Sequence, residues 1–174
     1  MSHKFTVVLG SAGVLALFSA LSAVSLAAVA TGDGVPFPNG LRDWFLVNSL
    51  TAGADSALFG HVSGMHHIYV NATGLQALKA DGPLPFPDGT VFADDVHEFS
   101  VKDGASFEGV KKFVTVMVKD SKKYAATGGW GFQVWDGGDP AKPQLADLAQ
   151  TVPACFVCHS PQKAHDYVFS TYIP

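Results

Sequence analysis

Both cysteines of the 174-residue chain fall within one pentapeptide, Cys155-Phe156-Val157-Cys158-His159. Two thiols three residues apart on a helical turn share a face, and each can add to a vinyl group of a haem. The adjoining imidazole can then coordinate the iron. The spacing is that of c-type haem attachment and predicts that Cys155 and Cys158 bind one covalently held haem c, with His159 as its metal ligand. Two other chemistries use such a pair. A redox dithiol wants the motif early, beside a βαβ pattern, whereas this one lies near the C-terminus of a β-rich chain. Half a zinc site wants a second Cys pair or a spaced His pair, and none accompanies it.

A haem needs either a second axial ligand or an open position. After residue 30 the chain offers two methionines. Met117 sits mid-strand among Val114, Val116 and Val118, sharing a face with Phe113 and Thr115, and reads as core. Met65 begins a strand beside two histidines. His66 and His67 point to opposite faces of that strand, so one of them can face the haem. Arg42 is the lone Arg, suited to a haem propionate, a pocket anion or a surface carboxylate. Lys79 falls on a solvated helix face. His61, His97 and His165 have no partner pattern and read as solvent-facing or propionate-adjacent.

Five β-rich segments must position these groups: 42–50, 65–71, 91–101, 112–119 and 130–135. The fourth alternates with period 2 most clearly. Short helices are expected at 72–80, 120–126, 143–149 and 153–159. The Gly/Pro-rich stretch 82–89 ends in an Asp-Gly turn signal, and residues 102–104 make a polar turn. The expected fold is α+β, mainly β: an antiparallel sheet of about five strands with short helices and a C-terminal haem-attachment helix.

Composition narrows the class. Charged residues make up 15% of the chain and hydrophobic ones 48%, against about 25% charged in an ordinary soluble domain. That excludes disordered and low-complexity chains. With 11 Lys+Arg against 15 Asp+Glu, no nucleic-acid partner is expected. Residues 5–30 carry no charge, follow Lys4, and end in Ala28-Val29-Ala30. This is the pattern of an export signal cleaved after Ala30, leaving 31–174 as one domain in the periplasm or another exported compartment. An uncleaved membrane anchor is the competing reading.

The ordered combination of Met65-His66-His67-Ile68-Tyr69-Val70-Asn71, Phe86-Pro87-Asp88-Gly89-Thr90-Val91, Lys119-Asp120-Ser121-Lys122, Gly128-Gly129-Trp130-Gly131-Phe132, the haem pentapeptide and Asp166-Tyr167-Val168-Phe169-Ser170 resembles the cytochrome P-460 family, over about 42–174. The resemblance implies a mainly antiparallel β fold and a homodimer. It also implies one of two behaviours. Cytochromes P-460 oxidise hydroxylamine at a haem cross-linked to a lysine; the related cytochromes c′-beta bind NO or CO at a five-coordinate haem under an aromatic cap. The strand expected to carry the cross-linking lysine, here His66-His67-Ile68-Tyr69, holds none, and Lys79 is the nearby candidate. The leading expectation is therefore binding of NO or a related small nitrogen species at an open or weakly occupied distal site. Hydroxylamine oxidoreductase activity is the alternative, with a redox partner protein to take the electrons, and simple electron transfer the second alternative. Candidate catalytic residues are His67, His66, Arg42 and Lys79, and Glu98 and Asp95 join the two strand histidines as candidate bases.

Overall fold

Alternation along the strands sets the architecture. The computed structural model describes residues 34–57, 59–80 and 84–173; the expected export segment, 1–30, lies outside them. Five strands pair antiparallel in chain order: β1 (Phe45–Ala52), β2 (Gly64–Val70), β3 (Val91–Lys102), β4 (Ala105–Lys119) and β5 (Trp130–Asp136). Side chains on such strands alternate between faces, so each strand feeds two cores. Val114, Val116 and Val118 of β4 join Tyr69, Ala93 and Trp135 on one face, closed by Val35, Phe37, Leu41 and Trp44 of the lead-in segment. Met117 joins Val70, Phe92, Trp130 and Phe132 on the other, with Val168 and Phe156 of the C-terminal segment.

The helical pieces cover the second face. Helix α1 (Ala72–Lys79) is capped by Asn71, whose Oδ1 accepts the Gly74 N–H at 3.0 Å, a contact worth about 1 kcal/mol. Its Leu75 and Leu78 pack onto the second core. Helix α2 (Leu148–Thr151) is capped by Asp147 and runs through a π-turn (Val152–Phe156) into α3 (Val157–His159) and a 3-10 segment (Ser160–His165). Pro153 has no N–H to offer the helical ladder and sits within the widened turn.

The five-stranded antiparallel sheet and the C-terminal helix agree with the sequence-based expectation. Four boundaries differ. β1 starts at Phe45 rather than 42, because Gly40 at φ 65° turns the chain into a 3-10 turn over Leu41–Asp43. β4 starts at Ala105 rather than 112. Asp103 and Gly104, both at positive φ, close a two-residue hairpin, and its first residues are exposed, so burial imposes no alternation there. The expected helix at 143–149 is absent before Leu148. There Gln133 captures the Leu145 backbone instead, its Nε2 donating to the carbonyl at 2.7 Å and its Oε1 accepting the N–H at 2.9 Å. The expected helix at 120–126 is a turn followed by a 3-10 turn, Ala125–Thr127.

The first face also carries a polar network. Arg42 Nε donates to Asp95 Oδ2 at 2.8 Å and Nη2 to Glu108 Oε1 at 2.7 Å. Lys111 Nζ lies 2.8 Å from Asp95 Oδ1. His97 donates from Nδ1 to the Gly109 carbonyl and receives Arg42 Nη2 at Nε2. His67 Nε2 donates to Glu108 Oε2 at 2.8 Å. Burial opposes ionisation of Asp95, but hydrogen bonds from Lys111 and Arg42 outweigh it and hold its carboxyl below the ordinary value.

Two predictions follow from this packing. Trp135 is fully buried, so Trp135→Ala should cost about 3–5 kcal/mol in urea unfolding. The stabilisation from ionised Asp95 is fully present above the ordinary carboxylate range and is lost as pH falls through its depressed value. Asp95→Asn should therefore flatten the acid limb of a Tm-versus-pH curve; an unchanged limb would exclude this carboxylate as its source.

Candidate haem-binding site

The floor of the site is one row of side chains crossing all five strands. Register places Asn48 opposite Ile68, Ile68 opposite Asp94, Asp94 opposite Thr115 and Thr115 opposite Val134. All five line a cavity of about 230 Å³ between the sheet and the C-terminal segment. A flanking row contributes Phe92, Met117 and Phe132, and on the other side Leu50, His66 and Phe113 line it. The opposite wall is Cys155, Cys158 and His159 with Val168 and Phe169.

The C-terminal wall has the donor set a haem requires. Residues 148–165 form one helical run, and both of its cysteines line the cavity. Both are free thiols, and burial pushes the Cys155 thiol up to about 11, keeping it as S–H. His159 donates from Nδ1 to the Tyr167 carbonyl at 2.7 Å, which leaves Nε2 with its lone pair for a metal. Burial lowers its proton affinity, favouring the neutral ring that ligation needs. The rings of Phe132 and Phe169 flank it at 5.2 and 5.1 Å. The Tyr167 carbonyl reaches His159 through a kink in which Asp166 and Tyr167 both hold left-handed backbone, at φ 52° and 68°. Each such residue costs about 1–3 kcal/mol unless its surroundings enforce it. Two thiols, a tethered neutral imidazole and an apolar cavity fit haem.

On the sheet side, the buried His66 pairs with the half-buried Asp94. His66 Nε2 donates to the Val62 carbonyl at 2.9 Å, and Nδ1 lies 2.7 Å from Asp94 Oδ2. Both ring nitrogens are thus engaged by protein oxygens, and neither has a free lone pair. The other carboxylate oxygen, Asp94 Oδ1, is buried with no hydrogen-bond partner. Asp94 went unnoticed in the sequence. The available signal was the Asp94-Asp95 doublet, which alternation sends to opposite faces.

The other candidates lie elsewhere. His67, Arg42 and Asp95 belong to the network on the first face, so Arg42 meets carboxylates of the protein itself. Lys79 ends α1 with Nζ 5.5 Å from the Phe45 ring centroid, outside the cavity lining. Glu98 is exposed on β3. His97 is buried in the network rather than solvent-facing, whereas His61 is exposed at the cavity rim and His165 is exposed. Met117 is core, as expected, and also lines the cavity. Among the described residues, no lysine lines the cavity.

No curated protein matches the chain. The family model described as Cytochrome P460 matches residues 38–170, a span that holds all five strands, the His66–Asp94 pair and the whole C-terminal wall. The chain belongs to the cytochrome P460 family, and is a haem protein.

Proposed function

We propose that this chain is an exported mono-haem c-type cytochrome that binds NO, or a related small nitrogen species, at an open distal site. Export rests on the uncharged segment 5–30. Covalent attachment rests on the two free thiols in the cavity wall. The observation that carries the open site is the engagement of both His66 nitrogens: the buried histidine on the sheet side has no lone pair to offer iron. Bound haem supplies an iron centre able to take a diatomic ligand. The chain's own part is to hold His159 as the neutral ligand, and to line the remaining space with Leu50, Ile68, Phe92 and Phe113, which favours small uncharged ligands.

A second reading, hydroxylamine oxidation, is favoured by Asp94 Oδ1. Hydroxylamine brings N–H and O–H donors to an acceptor that has none, whereas NO brings no donor. The hydrogen bond to His66 gives Asp94 a partner through which to take up and pass on a proton. The electrons released would need a redox partner protein, and the reaction would run without a lysine from the described cavity wall.

Optical spectra of the holoprotein with and without NO separate these readings from electron transfer. The expected ferric and ferrous spectra are high-spin and five-coordinate, and shift on NO addition. Sharp low-spin bands indifferent to NO would make the protein an electron carrier. If hydroxylamine is turned over with an artificial oxidant, Asp94→Asn should lower the rate by about a hundredfold and leave NO affinity within about twofold. Equal rates in both proteins would remove Asp94 from the chemistry.

A further inference from the structure

The segment that carries His159 is held from behind by a buried ion pair outside the cavity. Lys119, the last residue of β4, places Nζ 2.8 and 2.9 Å from the two carboxylate oxygens of Asp166, 3.0 Å from the Gly128 carbonyl and 4.9 Å from the Trp130 ring centroid. Asp166 Oδ2 also accepts the Phe86 N–H at 2.8 Å. The two side chains are 3% and 7% exposed. Charges buried so deeply add little net stability, because desolvation offsets their attraction. Their placement is informative. Asp166 and Tyr167 form the left-handed kink, and Gly128 sits against it at φ 68°, where a Cβ would come within 2.2 Å of the Tyr167 ring. Lys119, Gly128 and Phe86 thus grip the chain where it must turn to aim the Tyr167 carbonyl at His159 Nδ1.

We propose that Lys119 and Asp166 are positioning residues for the proximal imidazole. By fixing the kink they fix the Tyr167 carbonyl, and with it the tautomer and orientation of His159. A well-aligned acceptor on Nδ1–H makes the ring a stronger electron donor, which favours ferric over ferrous iron. The inference rests on His159 being the iron ligand.

The test uses full-length holoprotein and two variants, Lys119→Met and Asp166→Asn. The readouts are the haem reduction potential, the iron–histidine stretch in ferrous resonance Raman spectra, and thermal stability. Lys119→Met should raise the potential and move the stretch to lower frequency. Asp166→Asn should shift both the same way by less, since an amide oxygen still accepts from Phe86 and Lys119. A structural role alone would lower Tm and leave both haem observables in place, and that result overturns the proposal. So does failure of both variants to fold, which would make the pair a requirement of the fold. Haem staining of denatured wild type separates the premises. No covalent haem overturns the reading of the site together with this inference; haem present with unmoved variants overturns the inference alone.

Discussion

Everything in this molecule depends on the register of an antiparallel sheet. Because side chains alternate strictly, a slip of one residue would carry every cavity residue to the opposite face. The row Asn48, Ile68, Asp94, Thr115 and Val134 exists because four strand pairings agree on one position. The buried valines of β4 and the fully buried Trp135 enforce that agreement from the other side. The cavity is thus specified largely by residues that never touch it.

The two faces treat polar groups in opposite ways. On the first, Arg42, Asp95, His97, Glu108, His67 and Lys111 satisfy one another. Such a closed network rigidifies a sheet and leaves nothing for a ligand. On the second, His66 and Asp94 are joined, but one carboxylate oxygen is left over. Composition does not distinguish the two faces, since both hold histidines and aspartates. What differs is that the first face sets Arg42 and Lys111 against Asp95, while on the second, among the described residues, Asp94 meets His66 alone.

This explains how far the sequence could be read. Cys155, Cys158 and His159 were legible because their spacing is local and their chemistry specific. The β4 alternation was legible because both faces of that stretch are packed. Which of His66 and His67 faces the cavity was not, since alternation says only that they differ. The choice is made by the partners of β2 on either side. The Lys119–Asp166 contact joins residues 47 apart in sequence, and no periodicity announces it. The start of β4 was missed because its first residues are exposed, and exposed strands lack the burial pattern that reveals strands.

The leftover oxygen of Asp94 also bears on what the cavity takes. A buried acceptor without a donor costs about 1–3 kcal/mol, and an apolar wall offers no relief. A ligand with donors relieves that cost on entering; a diatomic without them does not. Leu50, Ile68, Phe92 and Phe113 line the rest of that cavity, so Asp94 Oδ1 is the atom that tells the two proposed readings apart. Asp94 Oδ1 is thus the acceptor on which the second reading, hydroxylamine oxidation, rests, and His66 Nδ1, 2.7 Å from Oδ2, is its hydrogen-bonded neighbour.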